Sequence, residues 1–134
     1  MKKNTFYYLL ILTLMLNLSA CGDKDTAEPS RLELLTAKTW QTSKVTLGSI
    51  DLSLILTGTT IRFNNDKTFT GNSSILPASG NWEFASDETI IILNPGTTDE
   101  VQLTVTELKE NSLKVTITDP DNNTQYQAEL VPAP

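Results

Sequence analysis

Five stretches of the chain alternate apolar and polar side chains at period two. Ile61 and Phe63 alternate with Thr60, Arg62 and Asn64, and Gly80, Trp82 and Phe84 with Asn81 and Glu83. Val101, Leu103 and Val105 alternate with Gln102, Thr104 and Thr106, and Leu113, Val115 and Ile117 with Ser112, Lys114 and Thr116. Tyr126, Ala128 and Leu130 alternate with Gln127 and Glu129. Successive side chains of a strand point to opposite faces, so each stretch predicts a strand with one buried and one wet face. On that register Trp82 and Phe84 face the interior beside Ile61 and Phe63. The breaks carry turn chemistry: Asn64-Asn65-Asp66, Ala85-Ser86-Asp87, Lys109-Glu110-Asn111 and Asp119-Pro120-Asp121-Asn122. Counting every run predicts eight strands, near 39–47, 59–64, 67–72, 79–84, 88–94, 101–107, 112–119 and 124–131. Parallel neighbours need long crossovers, so short links predict an antiparallel meander. With no helices to cover a face, eight such strands bury that face most completely by closing. The expected fold class is all-β, an antiparallel eight-stranded up-and-down barrel.

One short helix precedes the strands. Ser30-Arg31-Leu32-Glu33 has the form of a capping box, which predicts a helix from about Arg31 to Ala37 with Leu32 and Leu35 on one face. Two segments depart from simple alternation. Ile90-Ile91-Ile92-Leu93 is apolar on both faces, which predicts a strand covered outside as well as inside. Ile50-Asp51-Leu52-Ser53-Leu54-Ile55-Leu56 is an apolar connection that a small barrel does not leave in water, and it is expected to fold over the open end with Leu52, Leu54 and Leu56 as a lid.

Ahead of the domain, Lys2 and Lys3 precede an apolar run from Phe6 to Leu16, the layout of an export signal. As a helix this run is roughly 16 Å long, too short for a hydrocarbon core of about 30 Å. The sequence divides into an export signal at 1–20, a tether at 21–30 rich in small and charged residues, and one domain at 31–134. Loss of Lys2 and Lys3 with the signal takes the formal charge from −6 to −8, which argues against nucleic acid and anionic surfaces as partners.

Leu18-Ser19-Ala20-Cys21 resembles the lipobox of bacterial lipoproteins. The resemblance implies that Cys21, the only cysteine, receives acyl chains such as palmitate and becomes the first residue after cleavage, holding the protein on a membrane. Asp23, Asp25 and Glu28 resemble the acidic surface-export signals of Bacteroidota lipoproteins, so the implied location is the bacterial outer membrane, periplasm-facing or surface-exposed. The leucine-bearing helix followed by Thr36-Ala37-Lys38-Thr39-Trp40-Gln41, with Gly80-Asn81-Trp82-Glu83-Phe84 mid-meander, resembles the lipocalin-like domains of small Bacteroidota lipoproteins. In lipocalins a first-strand tryptophan follows a Gly-x pair and is covered by a basic side chain near the last strand. Here Lys38-Thr39 precede Trp40 and the last strand carries neither Arg nor Lys, so the floor is expected to be built differently. The resemblance implies a barrel that binds a small apolar molecule or a protein and catalyses nothing.

The residues themselves offer little chemistry. There is no histidine, and acylation of Cys21 removes the only thiol, so neither an imidazole base nor a thiolate nucleophile or zinc ligand is expected, and no cofactor. Asp119-Pro120-Asp121-Asn122-Asn123 opens like a calcium loop, but Thr124 and Leu130 stand where its glycine and closing glutamate belong, and a plain turn is expected. Two readings of function remain. In one, Leu52, Leu54, Leu56, Phe63 and Trp82 surround a small apolar ligand. In the other, the aromatic side chains fill a solid barrel that docks an envelope protein or glycan through its loops or outer face.

Overall fold

The computed structural model describes residues 27–119 and 121–134. The export segment, Cys21 and most of the tether lie outside the described residues. The domain begins with helix α1 (Arg31–Thr36), whose expected capping box is formed. The Ser30 amide donates to Glu33 Oε2 at 2.8 Å and the Glu33 amide donates to Ser30 Oγ at 3.2 Å. Two of the amides that a helix start leaves without intrahelical partners are thereby satisfied.

The strands follow as β1 (Thr39–Leu47), β2 (Ile50–Asp51), β3 (Thr60–Phe63), β4 (Thr68–Gly71), β5 (Ser79–Ala85), β6 (Ile90–Leu93), β7 (Val101–Lys109), β8 (Ser112–Thr118) and β9 (Gln125–Pro132). A one-turn helix α2 (Ser53–Leu56) lies between β2 and β3. All pairings are antiparallel, in the order β1-β3-β4-β5-β6-β7-β8-β9. The ring closes where β1 pairs with β9, from Trp40 opposite Pro132 to Leu47 opposite Tyr126. This is the up-and-down, eight-stranded barrel with a short N-terminal helix that the alternation predicts. β2 stands outside the ring as a two-residue hairpin extension of β1.

Two bulges keep the inward face apolar where strict alternation fails. The register of β1 shifts between Thr42 and Lys44, so the inward set passes from Trp40 to Val45. That of β7 shifts between Val105 and Glu107, which turns Leu108 inward and Glu107 away. An extra residue on one strand rotates everything beyond it by half a period.

Gly80 is required by a close approach. A Cβ at that position would stand 1.7 Å from Asn94 Oδ1, the atom that accepts the Asn81 amide. Trp40, Trp82, Phe63 and Phe69 are fully buried inside the barrel, with aliphatic residues of β1, β3, β6, β7, β8 and β9 completing the core. Among the described residues no buried side-chain nitrogen or oxygen lacks a hydrogen-bond partner.

The outer cover expected over β6 takes another form. Ile91 and Leu93 are buried inside, and Ile90 and Ile92 are half-buried outside. Glu83 and Gln102 flank Ile92 in register, and Ala85 and Thr104 flank Ile90. Side chains of the adjacent strands shield the pair, because the convex outer wall brings cross-strand neighbours over a small aliphatic residue.

Candidate functional site

The two ends of the barrel are built from different materials. β1 starts at the lower end, where α1 and the links at 64–67, 86–89 and 110–111 gather. The upper end carries the connection from β1 to β3 and the links at 72–78, 94–100 and 119–124.

The lower end is a bolted floor. Trp40 Nε1–H donates to the Leu35 carbonyl at 2.9 Å, fixing α1 against the base of β1. Trp82 Nε1–H donates to the Asn64 carbonyl at 3.1 Å. Trp82 also meets Phe63 and Phe84 edge to face, with ring centroids 5.5 and 5.2 Å away. Thr36 Oγ1 donates to Asn65 Oδ1 at 2.7 Å, and Arg31 Nε donates to the Glu88 carbonyl at 3.1 Å. The cations that cover the tryptophans come from Lys38, 5.6 Å from the Trp40 ring, and Lys67, 4.2 Å from the Trp82 ring. Both lie next to the floor in sequence, whereas the last strand supplies none.

The upper end is thinly closed and apolar. Leu56 is buried at its rim, and Leu52, Ile75 and Leu76 are half-buried against the core. Beneath them lies a cavity of about 30 Å³, its wall aliphatic apart from Phe63 and the hydroxyl-bearing Thr42, Thr59, Thr60 and Ser73. Room for about two waters exists, but few polar partners face it, which is the condition for a dry void. No charged side chain lines it.

The five residues expected to surround a ligand therefore separate. Leu56 and Phe63 line the cavity. Leu52 is half-buried beside them, and Trp82 belongs to the floor. Leu54 is fully exposed, which corrects the expected lid row. The segment folds as a helical turn, so side chains four apart share a face, and Leu52 and Leu56 turn inward while Leu54 and Ile55 turn out. A turn this short carries no periodic signature, and the 52–56 run reads equally as alternation.

Ile75 and Leu76 escaped the sequence reading. Their signal is two large aliphatic residues between Asn72-Ser73-Ser74 and Pro77-Ala78-Ser79, in a link that a hairpin does not need to be apolar.

One electrostatic cluster is pronounced. Glu107, turned outward by its bulge, is pulled down to about 2 by the hydrogen bond from Lys109, then that from Ser112, with the charges of Lys109 and Lys114 adding to the effect. Lys109 Nζ lies 2.7 Å from Glu107 Oε2, and Ser112 Oγ donates to Oε1 at 2.7 Å. The cluster staples the β7–β8 hairpin on the outer wall, and none of its members lines the apolar cavity.

No family model matches the chain, and no curated protein matches it. The fold and this geometry define a class, a closed eight-stranded antiparallel barrel with a fixed floor and a thinly covered apolar upper end.

Proposed function

We propose that the protein is a lipid-anchored lipoprotein of the bacterial envelope whose barrel binds a small apolar ligand at its upper end, without catalysis. Support for the anchor comes from the export segment and the lipobox-like Leu18-Ser19-Ala20-Cys21. The observation that carries the binding reading is the contrast between the ends. The floor is held by indole hydrogen bonds and aromatic contacts, whereas the upper closure rests on Leu56, Ile75 and Leu76 over an uncharged, apolar wall. A barrel needing only stability gains nothing from leaving one end unfilled, since a void costs its lining the contacts of missing atoms.

As it stands, 30 Å³ admits no ligand of drug size, for which pockets run to about 300 Å³ and more. Binding therefore requires Ile75 and Leu76 to withdraw with the 72–78 link and yield their places to the ligand. The ligand fitting such a wall is uncharged and slender, with hydroxyl groups of Thr42, Thr59, Thr60 and Ser73 as its polar contacts. The same small volume favours the second reading, a solid barrel that docks an envelope protein or glycan.

Titration with an uncharged, environment-sensitive lipophilic dye separates the two. The binding reading expects saturable one-to-one fluorescence gain, strengthened in Leu76→Ala, where part of the plug is removed. No gain in either protein would support the solid barrel. For the anchor, cells fed labelled palmitate should yield labelled protein, and Cys21→Ser should abolish both label and membrane retention.

A further inference from the structure

The upper rim divides into two halves of different charge. No charged residue occurs between Asp51 and Arg62, nor between Lys67 and Glu83, in a chain that is 19% charged. These two segments supply α2 and the 72–78 link, which are neighbours around the rim. The other two upper links carry Asp99 and Glu100, and Asp119 and Asp121; Asp99, Glu100 and Asp121 line a groove that also reaches Pro77 and Ala78 at the end of the 72–78 link. On the neutral half Leu54 and Ile55 are exposed by 100% and 78%, and Ile50, just ahead of it on the other side of Asp51, by 57%.

We infer that this neutral half of the rim is a bilayer-contact face, on which Ile50, Leu54 and Ile55 dip into the interfacial region of an uncharged or zwitterionic membrane. The inference rests on the proposed acyl anchor at Cys21. The patch is aliphatic throughout, whereas the centres of protein–protein interfaces are enriched in Trp, Tyr and Arg, none of which is present in it. Inserting it strips water from no ionised group within the two charge-free segments, and shallow burial of about 5–10 Å is what such anchors achieve. The exposed Asp51 falls between Ile50 and Leu54 in sequence, with its carboxylate already accepting the Ser53 amide at 2.8 Å. The acidic half carries ionised carboxylates that are costly to strip of water, which tilts the barrel so that only the neutral half touches.

The length of chain ahead of the domain permits this pose. From Cys21 to Ser30 an extended chain spans about 30 Å. The barrel wall is about 20 Å tall for strands of this length tilted by about 40°. A domain tethered at its floor thus reaches the same membrane with its rim. Because α2 turns Leu56 toward the cavity and Leu54 and Ile55 outward, the contact face is the outer surface of the cavity's own cover. An apolar ligand then passes between bilayer and barrel without crossing water.

The test uses the acylated protein in phosphatidylcholine vesicles, with a polarity-sensitive thiol probe on Leu54→Cys and, as control, on Asp121→Cys. Acylation blocks Cys21, so each probe reports one site. The expected result is blue-shifted emission at position 54, quenched by nitroxide lipids several-fold more than at position 121. Adding Ile50→Ser and Ile55→Ser should reduce the quenching at 54 to the level at 121, and anionic lipid at low salt should weaken it. Equal quenching at both sites, or water-like emission at 54, would overturn the inference. So would a blue shift that needs no vesicles and grows with protein concentration, which identifies a second copy as the occupant. Native mass measurement on the same sample keeps the two proposals apart: a ligand adduct without quenching contradicts bilayer contact alone, and quenching without any adduct contradicts ligand binding alone.

Discussion

The indole of Trp40 donates its hydrogen bond to the Leu35 carbonyl at 2.9 Å, so the first strand and the helix before it are one unit. The bond lies within the buried floor, where a carbonyl losing its partner cannot turn to water. Trp40→Phe should therefore destabilise the domain by about 1–3 kcal/mol, and Trp40→Ala or Trp82→Ala by about 3–5 kcal/mol. Denaturant unfolding measures both. A Trp82→Ala variant of undiminished stability would place that ring outside the barrel.

Gly80 and Asn94 form a second pair whose geometry predicts a non-additive outcome. Gly80→Ala alone drives a methyl into Asn94 Oδ1, and a loss of at least about 1 kcal/mol is expected. Removing the obstacle with Asn94→Ala should recover part of that loss in the double variant, so the stability cycle closes with a favourable coupling. Strict additivity would show that the two side chains do not meet.

The outward-turned Glu107 sets a pH dependence. Its carboxyl is held down to about 2, below the ordinary carboxylate range, by Lys109 and Ser112 first and Lys114 after. A depressed folded value contributes stability that is complete above the unfolded value near 4.5 and is lost as pH falls toward 2. Carbon-detected titration of the Glu107 carboxyl should give a midpoint near 2. Glu107→Gln should flatten the acid limb of the stability curve between about pH 4.5 and 2.

Helix α2 predicts opposite outcomes for two leucines two positions apart. Leu56→Ala should cost about 2–5 kcal/mol because the side chain is buried, whereas Leu54→Ser should lie within about 0.5 kcal/mol of the parent because its side chain is fully exposed. Thermal or denaturant melts distinguish this from the lid row, which would make the two comparable.

Most of the barrel was legible because one physical cause, a single buried face on a closed sheet, writes the same period into every strand. The expected strand at 112–119 is β8 (Ser112–Thr118), and Leu113, Val115 and Ile117 are all buried. Bulges were not legible: residue 43 of β1 and Thr106 of β7 change the phase, yet a slipped phase and a broken pattern look alike in one sequence. At the candidate site Leu56 was legible as part of an apolar connection over an open end and Phe63 as an inward residue of its strand. Leu54 was misplaced because five residues do not distinguish a helical turn from alternation. Ile75 and Leu76 were missed because links are read for turn chemistry, and nothing local says that a link plugs a barrel.

The most direct test of ligand binding is native mass spectrometry of the acylated protein after extraction in mild detergent. The account predicts a discrete adduct of an uncharged apolar molecule, with one copy per chain. It also predicts that the adduct is lost or exchanges faster in Leu56→Ser, whose cavity cover is weakened. Bare protein mass from both the parent and Leu76→Ala, whose cavity is enlarged, would contradict it and leave the solid barrel as the correct description.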